Sequence, residues 1–148
     1  MTKRLNILIL DDDEARHRTF IAHLKQDHTL THAWSSQEAN SRLGRFSGES
    51  TYDVVFLDHD LGEFDEPSLG TGLHVAETIA TMPLEHRPSL VVVHSHNPDG
   101  AKRMTVVLAA AGVNVVRESF SEKFVKRCAR SWSLDALGPG NHVSWKTP

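Results

Sequence analysis

Acidic residues follow two of the short apolar runs in this sequence. Residues 5–10 run directly into Asp11 and Asp12, and the run VVFL is followed by Asp58 and Asp60. Carboxylates gathered at one place repel one another unless a cation neutralises them. Their hard oxygen atoms suit Mg²⁺ or Mn²⁺, and these ions also bridge to phosphate. We therefore expect a divalent-metal site, with ligands drawn from Asp11, Asp12, Asp58 and Asp60, that binds a phosphate group.

Asp58 has two possible roles at such a site. It can be a metal ligand, or it can attack phosphorus and form an aspartyl-phosphate. A third apolar run, LVVV, continues into His94, Ser95, His96 and Asn97. Ser95 can donate a hydrogen bond to a phosphoryl oxygen, or it can simply begin the turn before a helix that Asn97 caps. Both interpretations of Ser95 remain open from the sequence.

Three histidines lie beside these acids, namely His59, His94 and His96. Histidine titrates near neutral pH and can act as a general acid, a general base or a metal ligand. In a strand, His94 and His96 would point to one face and Ser95 to the other, so these three cannot all face the metal unless the strand ends at His94. The cap at Asn97 indicates that it ends about there, and we still expect only one or two of the histidines in the site. The other histidines are expected to be solvated or packed: His17, His23, His28, His32, His74, His86 and His142.

Short apolar runs alternate with segments of helical period along the chain. Strands are predicted at residues 5–10, 29–34, 53–57, 90–94 and 113–116, and helices at 14–28, 35–46, 71–82, 98–111 and from a Ser119–Glu122 capping box onward. This alternation predicts an α/β fold with a parallel sheet covered on both faces. The flavodoxin-like strand order 2-1-3-4-5 fits best, and it places the ligand crevice at the C-terminal ends of strands one and three. The acids and histidines above all follow strands that end at this edge.

Length and composition favour one domain, which we place at residues 1–131, with a C-terminal tail of uncertain order at 132–148. The net charge of −3 and the pI of about 6.3 predict no general attraction for nucleic acid or for a membrane surface. A contact with RNA would therefore be local. Cys128 is the single cysteine, which excludes an internal disulfide and favours the cytoplasm. No targeting or transmembrane segment is predicted.

The segments LNILILDDDEAR, DVVFLDHDLG, VVVHSHN and VNVVRESF resemble the receiver domains of two-component response regulators over about residues 4–131. The resemblance implies that Asp11 and Asp12 hold the metal, that Asp58 accepts a phosphoryl group and that Ser95 senses it. Receivers carry a lysine at the end of strand five, where this chain has Arg117. They also carry an aromatic switch residue on that strand, which here reads VNVV. An arginine keeps the charge but is not an equivalent point charge.

The segments HSHNPDGAKRM and FLDHDLG are similar to a divergent branch, the cyclic-phosphate-processing receiver domains. That similarity implies an enzyme acting on cyclic phosphates, such as the 2′,3′-cyclic ends of RNA or nucleotides. One histidine would activate water and another would protonate the leaving hydroxyl, with Arg103 or Arg117 offsetting transition-state charge. The alternative is a stand-alone receiver, phosphorylated on Asp58 by a histidine kinase or another signalling protein and read by a partner protein.

Overall fold

The computed structural model describes residues 4–44, 52–60 and 71–131, together with the backbone of residues 137–138 and 142–143. Its elements in chain order are β1 (Asn6–Leu10), α1 (Glu14–Leu24), β2 (Thr29–Ala33), α2 (Ser36–Leu43), β3 (Val54–Leu57), α3 (Gly72–Thr81), a 3-10 helix (Leu84–His86), β4 (Leu90–Val93), α4 (Pro98–Ala110), β5 (Val115–Arg117) and α5 (Glu122–Ser131). Two short segments, β6 (Leu137–Gly138) and β7 (His142–Val143), pair antiparallel.

Strands β1 to β5 form one parallel sheet in the order β2-β1-β3-β4-β5. The predicted fold class and strand order are therefore confirmed. Strands β3 and β4 are buried along their whole length, as central strands covered on both faces should be. Their β-branched and aromatic side chains suit this environment.

The sheet separates two apolar clusters because alternate side chains point to opposite faces. On one face Leu8, Val55 and Val91 pack against α2, α3 and α4. On the other, Phe56 and Val92 pack against α1 and α5. Each layer is built from helix residues at spacings of three and four, so the arrangement follows from the sequence period.

Local signals explain where the helices begin. Asp13 caps α1, and its side chain accepts hydrogen bonds from the backbone of Ala15 and Arg16. The prediction for α5 was wrong in its details, because Ser121 rather than Ser119 caps that helix and accepts from the backbone of Phe124. Strand β5 likewise lies two residues later than predicted at its start, over Val115–Arg117.

Some predictions fall outside the described residues. These are the end of the second helix near residue 46 and most of the C-terminal tail at 132–148. The division of the chain at residue 131 stays a prediction. Within the described ranges, no helix has both the length and the apolar character needed to cross a membrane.

Candidate functional site

The backbone ladder continues one residue beyond three of the strands and carries polar residues to one edge of the sheet. Asp11 donates its N–H to the carbonyl of Ala33 at 3.1 Å, and Asp58 donates to Leu10 at 3.0 Å. His94 donates to Leu57, also at 3.0 Å. These bonds fix Asp11, Asp58 and His94 side by side at the C-terminal edge, where parallel α/β sheets bind ligands.

Three carboxylates converge there, and we call Asp11, Asp12 and Asp58 the acidic cluster. One oxygen from each lies within 4.8 Å of the others, as the ligands of a single cation would. Asp11 and Asp58 are buried, whereas Asp12 is exposed. Two buried carboxylates this close to a third are unfavourable without a counter-charge, so the donor set fits a hard divalent ion.

Arg16, which was not among the predicted site residues, supplies positive charge to this cluster. Its Nη1 lies 3.2 Å from Oδ2 of Asp11 and 3.5 Å from Oδ2 of Asp58. The guanidinium also lies 5.1 Å from the centre of the Phe120 ring, a cation–π distance. Arg16 is in the first turn of α1, and helical side chains point back toward the N-terminus. That position in the sequence was the available signal.

His94 is fully buried behind the acidic cluster. Its Nε2 donates to Oδ2 of Asp11 at 2.8 Å, and its ring contacts the rings of Phe20, Phe56 and Phe120. Its Nδ1 has no hydrogen-bond partner among the described residues. His94 therefore orients the Asp11 carboxylate, as a partner behind a ligand does in metal sites.

Burial and charge act differently on the two buried acids. Burial is the largest cause acting on Asp58 and raises its pKa to about 6. The charge of Asp11 adds to this rise, whereas the charges of His94 and Arg16 oppose burial without cancelling it. Burial also tends to raise the pKa of Asp11, but the hydrogen bond and charge of His94, together with the N–H of Asp13 and the charge of Arg16, leave that pKa below its ordinary value. Asp11 is therefore readily ionised, whereas burial makes the ionised form of its neighbour Asp58 unfavourable.

A second polar group adjoins the acidic cluster and consists of His59, Asp60 and Asn97. Nδ1 of His59 lies 2.9 Å from Oδ1 of Asp60, and the Asn97 amide donates to the same oxygen at 3.1 Å. An ionised carboxylate only accepts, so Nδ1 of His59 carries the proton and a neutral ring has its lone pair at Nε2. Burial would raise the pKa of Asp60, but the hydrogen bonds from His59 and Asn97 lower it overall. The backbone N–H of His59 donates to Asp58, which links the two groups.

The other residues that follow β4 take separate positions. Ser95 is buried, and its hydroxyl oxygen accepts from the backbone of Asn97 at 3.0 Å, so it does form the predicted turn. That bond leaves the hydroxyl hydrogen available to a ligand. His96 is exposed, and no hydrogen bond or ion pair joins it to the acidic cluster within the described residues. Of the three histidines, His94 touches the cluster through its ring, His59 touches it through its backbone and His96 lies outside it.

The two candidate arginines lie apart from the acidic cluster. Arg103 is exposed in a groove of about 470 Å³ between α3 and α4, and none of the acids of the cluster lines that groove. Arg117 is exposed at the end of β5, opposite Val93. In the described part of the chain, the cation that pairs with Asp58 comes from α1.

Two glycines allow helices to approach the site closely. A Cβ on Gly72 would lie 1.9 Å from the carbonyl oxygen of Asp58, and one on Gly100 would lie 2.3 Å from the ring of His59. Gly72 also donates its N–H to the carbonyl of His59 at 2.9 Å. Neither glycine was among the predicted site residues. Both are first-turn residues of helices that begin at this edge, where only a missing side chain permits such contact.

The parallel sheet, its strand order and the acidic cluster at the switch point define a receiver-type domain. The sequence matches the family model of the cyclic-phosphate processing receiver domain over residues 6–110. The chain therefore belongs to that family. None of the curated proteins matches it.

Solved structures agree with the receiver fold. The CheY-like receiver domain of a response regulator from Methylobacillus flagellatus has a TM-score of 0.62 at 17% identity, covering 88% of this chain and 100% of its own. The BeF3-activated DrrB receiver domain has a TM-score of 0.60 at 14% identity, with 87% and 97% covered. A structure described as adenylate cyclase from Rhodopirellula baltica has a TM-score of 0.60 at 18% identity, with 86% and 85% covered. At these identities the likeness concerns the fold alone.

Proposed function

We propose that this protein is a metal-dependent phosphoesterase that opens cyclic phosphates of a nucleotide or of an RNA end. The observation that carries the proposal is the acidic cluster lying directly beside a histidine–carboxylate pair, His59 with Asp60. A phospho-accepting receiver needs the first group but has no use for the second. The family match points to the same substrate chemistry.

Asp11, Asp12 and Asp58 would hold Mg²⁺ or Mn²⁺, and Asp60 would act through His59. A bound ion of this kind polarises phosphoryl oxygens and offsets negative charge. The hydroxyl of Ser95, whose oxygen accepts from the backbone of Asn97, and the second N–H of the Asn97 amide, which also donates to Asp60, would donate to a phosphate at this edge.

Of the three histidines, His59 is the best candidate for the general base. Asp60 holds the proton on Nδ1 of His59, so the lone pair on Nε2 can accept a proton from water. Water adds to phosphorus as the ring P–O bond breaks, His59 takes the proton of water, and the departing alkoxide receives a proton. His96, exposed after β4, is the candidate donor of that proton. His94 is enclosed by phenylalanine rings, so it serves as a positioning residue for Asp11.

The test is the hydrolysis of 2′,3′- and 3′,5′-cyclic nucleotides with Mg²⁺ or Mn²⁺, followed by phosphorus NMR. Metal-dependent ring opening that is lost in Asp58→Asn supports the proposal. His59→Ala should lower kcat by roughly a hundredfold or more if it is the general base. His23→Ala is the matched control, because His23 lies near the far end of α1 and pairs only with exposed Glu122 among described residues.

The second candidate is a signalling receiver that is phosphorylated on Asp58 by a kinase and recognised by a partner protein. The position of Asp58 after β3, with Ser95 after the neighbouring strand, favours it. Under this alternative a small phosphodonor should label wild type and His59→Ala equally, and Asp58→Asn should take up no acid-labile phosphate. Absence of cyclic-ester turnover together with such labelling would replace the first proposal by the second.

A further inference from the structure

Three aromatic side chains form a stack next to the acidic cluster, and we call His17, His32 and Trp34 the aromatic stack. The ring of His17 lies on the indole of Trp34, with centroids 4.2 Å apart and an interplanar angle of 29°. The ring of His32 meets His17 edge-on at 4.8 Å. Nothing in the chemistry proposed above uses these residues.

The hydrogen bonds of His17 attach the stack to the acidic cluster. Its Nε2 lies 2.7 Å from the carbonyl oxygen of Asp11. A carbonyl only accepts, so Nε2 carries a proton and, in a neutral ring, Nδ1 accepts. The partner at Nδ1 is Nδ1 of His32, 2.6 Å away, which must then donate. One tautomer of each ring satisfies both bonds, and His17 is thereby held in one orientation beneath the indole.

The backbone around Trp34 is also held firmly. Its N–H donates to Oε2 of Glu38 at 3.3 Å, while the N–H of Glu38 donates to the hydroxyl of Ser35 at 3.1 Å. This pair of bonds resembles a capping box, and it fixes how the chain leaves β2 for α2. Trp34 directly follows Ala33, whose carbonyl accepts from the N–H of Asp11. The indole is therefore both preorganised and adjacent to the acidic cluster.

One part of the indole is left uncovered by the described residues. Trp34 is 40% exposed, although its lower face rests on a buried imidazole. Among the described residues, three other large apolar side chains are exposed. Ile21 and Val106 lie within α1 and α4, and Leu84 belongs to the 3-10 helix that precedes β4, at the opposite edge of the sheet. Of these four described residues, Trp34 is the one that directly follows a strand at the ligand-binding edge. An immobilised aromatic face in that place suits a planar ligand group.

We propose that Trp34 is the stacking platform for the nucleobase of a nucleotide whose phosphate lies at the acidic cluster. The inference rests on the proposed function and adds to it the residue that binds the nucleobase of the substrate. In the structure the ring of His17 contacts both the indole of Trp34 and the backbone carbonyl of Asp11, so the indole lies one side chain away from a residue of the acidic cluster. Aromatic side chains bind bases in this way without strong sequence preference.

The experiment compares three substrates with Mg²⁺: adenosine 2′,3′-cyclic phosphate, a short RNA ending in the same group, and ethylene glycol cyclic phosphate, which has no base. Trp34→Ala should raise KM for the two base-containing substrates by roughly tenfold or more, with kcat little changed. Trp34→Phe should recover part of the loss, and the base-free substrate should not respond. Leu84→Ala, with a 78% exposed side chain, is the matched control.

The outcomes separate this inference from the esterase proposal. If substrates with and without a nucleobase are turned over equally, and Trp34→Ala changes neither, the stacking proposal for Trp34 is overturned while the esterase proposal stands. If no substrate is turned over, adenosine 3′-monophosphate is titrated with Mg²⁺ while the indole N–H of Trp34 is followed by NMR. A shift that is absent with inorganic phosphate supports the platform without the esterase, and no shift overturns it. A larger effect on the RNA than on the mononucleotide would identify an RNA end as the source of the base.

Discussion

Replacing Asp58 by asparagine should stabilise the metal-free protein at neutral pH. Asp58 is 4% exposed, and burial raises its pKa from the ordinary 3.8 to about 6. Each pKa unit corresponds to about 1.4 kcal/mol, so the ionised side chain lowers the free energy of unfolding by about 3 kcal/mol relative to the neutral one. Between pH 3.8 and about pH 6, the two pKa values, Asp58 keeps a proton in the folded protein that it has lost in the unfolded chain. Stability from this group therefore falls as pH rises from about 4 to about 6 and stays low above that.

The assay is urea unfolding of wild type and Asp58→Asn from pH 4 to pH 8 with a chelator present. The variant should gain about 2–3 kcal/mol over wild type near pH 7 and almost nothing near pH 4. Asp12→Asn is the control, since this carboxylate belongs to the same acidic cluster but is exposed. Saturating Mg²⁺ should stabilise wild type and have much less effect on Asp58→Asn, because a ligand that binds only the folded state adds to stability.

Two results would refute this reasoning. A stability difference that does not change with pH would mean that ionisation of Asp58 is not the cause. A variant less stable than wild type at pH 7 would mean that the ion pair between Asp58 and Arg16, 3.5 Å apart, outweighs burial. Either result would remove the electrostatic argument for a cation at the acidic cluster.

Three further substitutions follow from the contacts of the site. Gly100→Ala should reduce turnover far more than it reduces the free energy of unfolding. The new Cβ would displace the ring of His59, whereas the higher helix propensity of alanine, worth about 1 kcal/mol over glycine, offsets part of the loss in stability. Turnover equal to wild type would contradict the role of His59 in catalysis. Arg16→Gln should bind Mg²⁺ several-fold more tightly in calorimetry, since it removes a cation that competes for the acidic cluster; weaker binding would count against that competition. His28 is buried, which lowers its pKa, and it accepts the backbone N–H of Leu5 at 3.2 Å. The contribution of neutral His28 to the free energy of unfolding is therefore fully present above pH 6.5, its ordinary pKa, and is lost as the pH falls below that value. His28→Gln should flatten the acid side of the unfolding profile, and an unchanged slope would disprove this.

The fold could be predicted because its signals are local. Each strand is a short apolar run, each helix has a regular apolar stripe, and a parallel sheet leaves few strand orders to consider. The same logic placed Asp11, Asp58 and His94 at one edge, since all three directly follow a strand. Alternation along β4 predicted that His94, Ser95 and His96 cannot all face the metal unless the strand ends near His94. In the structure β4 ends at Val93, and the ring of His94 points toward α1 and α5.

What the sequence did not reveal are contacts made between elements that lie far apart in the chain. Arg16 reaches the acidic cluster because of the direction of a helical side chain, and Gly100 matters because α4 passes over His59. The stack of His17 on Trp34 depends on the packing of α1 against the end of β2. Residue types alone describe His17 as one histidine among ten, and only packing gives it a fixed tautomer.

The source of positive charge bears most directly on the choice between the two functions. In receivers that signal, the resemblance implies a lysine from β5 that pairs with the phosphoryl group, but Arg117 is exposed at the end of β5 here. The cation in contact with Asp58 comes instead from the opposite side of the crevice, from Arg16 on α1. The positive charge that pairs with a phosphoryl group on Asp58 would then come from α1, which is packed against α5 and β2, and not from β5. This arrangement suits a site that holds charge in place for a reaction better than one that transmits a change along β5.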